Sequence, residues 1–144
     1  MSPLFKSPTE RQVSVALTVL RVILGITFIM HGGQKLFVYG LEGVTGSFAG
    51  MGIPMAGIVG PLVALIEFFG GIALLVGLLT RLAAVGTAAV MAGAIATAHF
   101  EAGFFAPAGY EFPLMLLATS IALAVAGAGP VSLDAVLRKR LAGK

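Results

Sequence analysis

Cysteine and tryptophan are missing altogether from these 144 residues, and charge is scarce. Without cysteine the chain can hold no disulfide, thiolate ligand, iron–sulfur cluster or redox-active dithiol of its own. Without tryptophan, only phenylalanine and tyrosine are left to mark a membrane–water interface. Charged residues make up 10% of the chain, against about 25% in a soluble domain. Hydrophobic residues make up 58% and the mean hydropathy is +1.05, so the polar coat of a soluble protein is absent and the expected solvent is the bilayer. The net charge of +3 is too small and too unevenly placed to suggest nucleic acid as a partner. The length suits one domain, residues 1–144.

Four apolar runs stand out, at about 13–36, 55–79, 82–99 and 111–126. Each approaches the ~20 residues needed to cross ~30 Å of hydrocarbon as a helix. They are continuous rather than alternating and far exceed the ~10 residues of a barrel strand. The last is short and must run near the bilayer normal or begin in an outer vestibule. The first resembles a secretory signal, but Arg21 interrupts it, it is too long, and no small-residue cleavage site follows. It is read as a retained helix. The expected fold is an all-α, integral membrane four-helix bundle.

Basic residues set the expected orientation. Lys6, Arg11, Arg81, Arg138, Lys139, Arg140 and Lys144 flank the spans on one side, seven of the nine in the chain. The positive-inside rule makes that side, and both termini, cytoplasmic. The connections 37–54 and 100–110 then face outward. In the tail, Leu133, Val136, Leu137 and Leu141 recur at helical spacing opposite the basic residues. That pattern predicts a short amphipathic C-terminal helix on the anionic inner leaflet, with Ser132 as its N-cap. The third span, "LAAVGTAAVMAGAIATAH", is rich in the small residues that drive helix association in lipid, which places it at the centre of the bundle. Pro61 either kinks the second span or starts its regular part.

Ionisable groups inside apolar spans are expensive, so each needs a partner or a task. Arg21 lies about 12 Å from the inner end of the first span and Glu67 about 18 Å from that of the second. An extended arginine covers the difference, so an intramembrane Arg21–Glu67 ion pair is expected. In "FIMHGGQKLF", spacings of three and four residues put His31 on one face with Gln34 and Lys35. Gly32 and Gly33 remove bulk, so that a neighbouring backbone or a flat ligand can approach. His99, Glu101 and Glu111 fall at the same outer level, flanked by Phe37, Phe100, Phe104, Phe105 and Tyr110. These polar residues are expected to converge on one outer vestibule, either a ligand pocket or a solvated rim. No catalytic residue can be assigned.

"RVILGITFIMHGGQKLF", "MGIP", "EFFGGIALLVGLLTRLAA", "GYEFPLML" and "GAGPVSLD" together resemble the DoxX family of small bacterial membrane proteins, over about residues 20–134. The family's motif positions fall here on Arg21, His31, Gly32, Gln34, Lys35, Glu67, Arg81, Gly109, Glu111 and Asp134. The resemblance implies a four-helix protein of the bacterial inner membrane. It is named with subunits similar to the membrane part of a thiosulfate:quinone oxidoreductase, while other members are linked to oxidative-stress complexes or have no assigned activity.

Function must be argued from the site rather than from a name. The first expectation is an accessory or anchoring subunit of a larger membrane complex, redox or respiratory in kind, or a homo-oligomer. The alternative is a quinone-interacting oxidoreductase subunit. There Lys35 and Gln34 would donate to a quinone carbonyl and His31 or His99 would exchange protons. Electrons would come from a partner, and no covalent cofactor is expected. A small-solute pathway, or a metal or haem site on His31 and His99, is weaker, since two histidines on nonadjacent spans are too few ligands; no metal is assigned.

Overall fold

A computed structural model describes residues 6–143; Lys144, counted above among the inner basic residues, lies outside them. All regular structure among the described residues is helical. Helix α1 (Glu10–Gly33) starts at a capping box. The Thr9 hydroxyl accepts from the Gln12 N–H, and the Gln12 side chain accepts from the Thr9 N–H at 2.7 Å, which satisfies two donors that an open helix end leaves over. At Gln34 the helix widens into a π-helical segment, π1 (Gln34–Tyr39). Gly40, at φ 69° and ψ 164°, then turns the chain into α2 (Gly40–Gly50).

The expected outer connection 37–54 is therefore helical as far as Gly50, which corrects the loop reading. Glycines at 40, 43, 46 and 50 argue for a loop by intrinsic propensity, each costing about 1 kcal/mol against alanine. Packing overrides propensity here. Val44 is buried against the start of α3, 3.2 Å from where a Cβ on Gly60 would stand.

The rest follows as α3 (Ala56–Val76), α4 (Thr80–Ala94) with its π-helical extension π2 (Ile95–His99), α5 (Glu111–Ala126) and α6 (Leu133–Ala142). Three stretches are long and apolar enough to cross a membrane: Glu10–Gly50, Ala56–Val76 and Thr80–His99. Glu111–Ala126 is apolar but shorter. Pro61 stands inside α3, and the carbonyl that loses its donor there belongs to Gly57, which is exposed. Ser132 caps α6 as expected, its hydroxyl accepting from the Ala135 N–H at 3.2 Å.

Helix α1 packs along α3, α3 along α4, α4 along α5, and α5 returns to α1. The buried core draws Leu24 and Phe28 from α1, Leu74 from α3, Ala84, Val90 and Met91 from α4, and Leu123 from α5. The closest approach is between α1 and α3. A Cβ on Gly25 would stand 2.7 Å from the Leu75 nitrogen, one on Gly71 2.6 Å from the Ile29 nitrogen, and one on Gly32 would run into the Phe68 backbone. The centre is therefore α3, which touches α1, α2 and α4, and not the third span. Counting small residues located helix-packing surfaces but not the tightest crossing, which needs glycine at matching heights on two helices. Between α4 and α5, the buried Thr87 and Ser120 hydroxyls share a 3.0 Å hydrogen bond, a contact worth roughly 0.6 kcal/mol in lipid.

Candidate functional site

The glycine crossing sets the register, and the register decides which charges meet. With Gly32 opposite Phe68 and Gly25 opposite Leu75, Lys35 falls beside Glu67 and Arg21 beside the end of α3. Lys35 Nζ lies 2.5 Å from Glu67 Oε2 in a salt bridge. The Glu67 side chain is 4% exposed and that of Lys35 21%. The expected Arg21–Glu67 pair does not form. The height estimate measured each residue from the end of its own apolar run, as though the spans ended flush. In fact Arg21 binds the backbone at Leu74 and Leu75, seven to eight residues and about 11 Å along α3 from Glu67.

Beside the Lys35–Glu67 pair lies a cavity of ≈ 390 Å³ between α3 and α4. Val59, Val63, Val90 and Ala94 form its apolar walls, Phe48, Met51 and Ile53 close it from the α2 side, and Thr97 and His99 add polar groups. Lys35 belongs to π1 and His99 to π2, so both π-helical segments border this one cavity. Such widened turns are frequent at functional sites. The pair has unused capacity. The ammonium carries three donors, and its bond to Glu67 is the single side-chain hydrogen bond of either residue.

The other expected vestibule residues disperse. His31 is exposed, its ring 6.1 Å from that of Phe112, and it borders a separate groove with Gly33, Gln34 and Phe68. Gly32 gives its space to the α3 backbone, not to a ligand. Glu111 turns back on the 100–110 connection, its carboxylate accepting from the Ala106 N–H at 2.6 Å. His99 Nδ1 reaches the Ala108 carbonyl oxygen at 2.8 Å, so it holds the same connection while bordering the cavity. Glu101 is exposed. Of the expected set, only Lys35 and His99 border the cavity, joined by Glu67. No group of three or more metal-binding side chains forms among the described residues.

At the opposite end a second polar node forms. Arg21, 3% exposed, donates from Nη1 to the carbonyls of Leu74 and Leu75 and from Nη2 to that of Val131, each at 2.7 Å. Asp134 accepts from the N–H groups of Leu79 at 2.7 Å and Thr80 at 2.9 Å, capping α4. Burial pushes the Asp134 carboxyl up, but those two N–H groups and the Arg21 charge outweigh it, and the group sits below its ordinary value. Gly77, at φ 71°, lets this node close, because a Cβ there would stand 2.5 Å from that of Ser132. Sequence reasoning marked Asp134 as a motif position without a role. Its signal was an acid just past a helix-breaking "GAGP", able to reach back to an N-terminus left without a side-chain cap.

Long apolar helices, a part-buried ion pair beside a cavity and a basic opposite end define a multi-pass helical membrane protein with a polar site. A model of the DoxX family matches residues 16–100. The chain is 37% identical over 125 residues to the protein named "Putative oxidoreductase CatD" of Bacillus subtilis (strain 168), covering 87% of this chain and 89% of that one. It is 35% identical over 130 residues to the inner membrane protein YqjF of Escherichia coli (strain K12), covering 88% and 95%. Over 132 residues it is 35% identical to the uncharacterized membrane protein Rv3486 of Mycobacterium tuberculosis (strain ATCC 25618 / H37Rv), covering 84% and 80%. The chain belongs to the DoxX family. It is a multi-pass protein of the bacterial inner membrane. No solved structure matches it.

Proposed function

We propose that this chain is the membrane subunit of a redox assembly, and that its α3–α4 cavity takes the headgroup of a membrane-soluble carbonyl compound of the quinone class. One observation carries the reading: an apolar cavity bordered at once by the half-buried Lys35, paired with the buried Glu67, and by His99. A quinone carbonyl needs a donor, which the free N–H bonds of Lys35 supply. Reduction brings protons, for which Glu67 and His99 are the titratable neighbours. Electrons come from a partner subunit. The name of the Bacillus relative agrees with redox chemistry. In the bilayer, α1, α3, α4 and α5 form a bundle of four spans with both termini inside. Cysteines placed singly at Ser47 and Ala106 then react with impermeant reagents from outside, and one at Ala142 does not.

The test is quinone retained per chain after gentle purification from quinone-replete membranes. Gly93 borders the cavity, and a Cβ there meets nothing within 4 Å, so Gly93→Leu fills space without disturbing a helix contact. Wild type should retain quinone, while Gly93→Leu and the neutral double variant Lys35→Met/Glu67→Gln should lose it and still insert. Equal retention in all three, or none in wild type, overturns the ligand reading. An accessory, anchoring role is the second reading. It is favoured by the exposed Val85 and Ala92 of α4 and Ala96 of π2, a low-relief surface on which another transmembrane helix can pack. Its mark is a stoichiometric partner that copurifies without quinone.

A further inference from the structure

The basic end carries a pocket of its own, far from the ion pair. It measures ≈ 470 Å³ and lies between the start of α4, the 127–130 turn and α6. Arg81 and Arg138 both border it. The Lys35–Glu67 pair is the one salt bridge among the described residues, so neither arginine has a carboxylate within ion-pair distance there. Asp134 also borders the pocket, but its two oxygens are engaged by the Leu79 and Thr80 N–H groups and its charge faces Arg21. The first intrahelical bond of α4 runs from the Ala83 N–H to the Leu79 carbonyl. The N–H groups of Arg81 and Leu82 precede it and have no acceptor within the helix. Gly127, at φ 83°, brings its backbone against Arg81, whose Nε would stand 3.2 Å from a Cβ there. Exposed Leu79 and Leu82 border this polar patch, as expected where a helix end meets headgroups.

We propose that this pocket binds a phosphate anion through Arg81 and Arg138, either the phosphodiester of an anionic lipid headgroup or free phosphate. Guanidinium groups match phosphate oxygens with paired donors. Diffuse attraction of the tail to an anionic leaflet treats every basic residue alike. A pocket singles out two.

The test uses the full chain in vesicles of phosphatidylcholine and phosphatidylglycerol, with the lipid retained per chain read by native mass spectrometry after extraction in neutral detergent. Both leaflets carry the probe, so the result is independent of orientation and of any quinone at the other end; it rests only on insertion. Wild type should retain phosphatidylglycerol over phosphatidylcholine. Arg81→Gln and Arg138→Gln should each cut that retention about tenfold, as loss of one charged hydrogen bond implies. Lys139→Gln and Arg140→Gln remove the same charge outside the pocket and should leave retention unchanged. Arg81→Lys keeps the charge without the fork and should fall between, and circular dichroism checks that each variant folds. A second arm titrates inorganic phosphate into lipid-free protein by calorimetry. Saturable, Arg81-dependent heat without headgroup preference assigns the site to the free anion. Equal loss in all four glutamine variants, or no binding of either probe, overturns the proposal.

Discussion

Two cations, Arg21 buried midway along α1 and Lys35 half-buried in π1, are treated in opposite ways. Arg21 is held by three backbone carbonyls and stands near Asp134, which is itself consumed in capping α4. Lys35 makes a single hydrogen bond, to a carboxylate that makes no other, beside a cavity. Fixed carbonyls cannot change charge, so the Arg21 node locks the α3–α4 turn and the C-terminal segment to α1. The Lys35–Glu67 pair has donors to spare and faces open space. Each cation leaves two N–H bonds unused, Arg21 Nε being buried without a partner, so the kind of partner and the open space beside it, not the count of bonds, separate an anchor from a site.

The largest expected effect removes the register that keeps the two nodes apart. Gly32→Leu forces α1 off α3 at Phe68, with no flexible side chain to yield. The cost should be at least about 3 kcal/mol, the upper range of overpacking, and both nodes should be lost together. Heat or denaturant unfolding of the purified protein reads it. A variant that stays within experimental error of wild type breaks the glycine-crossing account.

Next comes the open pair. Lys35→Met leaves Glu67 buried and unpaired, which should cost about 3 kcal/mol, eased by protonation of the carboxylate. Adding Glu67→Gln should restore much of it, because the charge needing a partner is gone. Arg21→Lys should cost about 2 kcal/mol, since an ammonium cannot reproduce the fork that reaches Leu74, Leu75 and Val131. Adding Glu67→Gln to Arg21→Lys should rescue nothing. A double-mutant cycle that couples Arg21 to Glu67 would join the two nodes and undo the comparison.

Much of this was legible in the sequence, and the misses have a common source. Apolar runs and the amphipathic spacing of Leu133, Val136, Leu137 and Leu141 report on single helices, and α1, α3, α4, α5 and α6 follow them. Pairing across helices depends on register, which hydrophobicity does not encode. Gly25 and Gly32, seven residues apart on one helix face, and Gly71 on the partner were the available signal. Aligned on them, Lys35 rather than Arg21 meets Glu67. The expected vestibule failed because residues at one height need not share one direction: His31 and Lys35 border different cavities. Helix α2 was hidden by its glycines, so the cover given to the cavity by Phe48 and by Met51 just past its end was invisible.

The smallest expected effect probes the closed node through pH. Asp134 sits below its ordinary value of 3.8 in the folded protein, so folding favours its ionised form. That stabilisation is fully present above about 3.8, the unfolded value, and fades as pH falls below it toward the folded value. Asp134→Asn keeps one acceptor for the α4 N-terminus but loses the charge facing Arg21, and should cost about 1 kcal/mol near neutrality. The informative quantity is the difference in melting temperature between wild type and Asp134→Asn, which cancels whatever the two proteins share. It should be constant near neutrality and shrink as the wild-type carboxylate protonates. A difference that persists unchanged to the acid limit means the ionised group adds nothing beyond the shape of its cap. The Arg21 end would then be held by backbone carbonyls alone, and its contrast with the carboxylate-held Lys35 end would be sharper still.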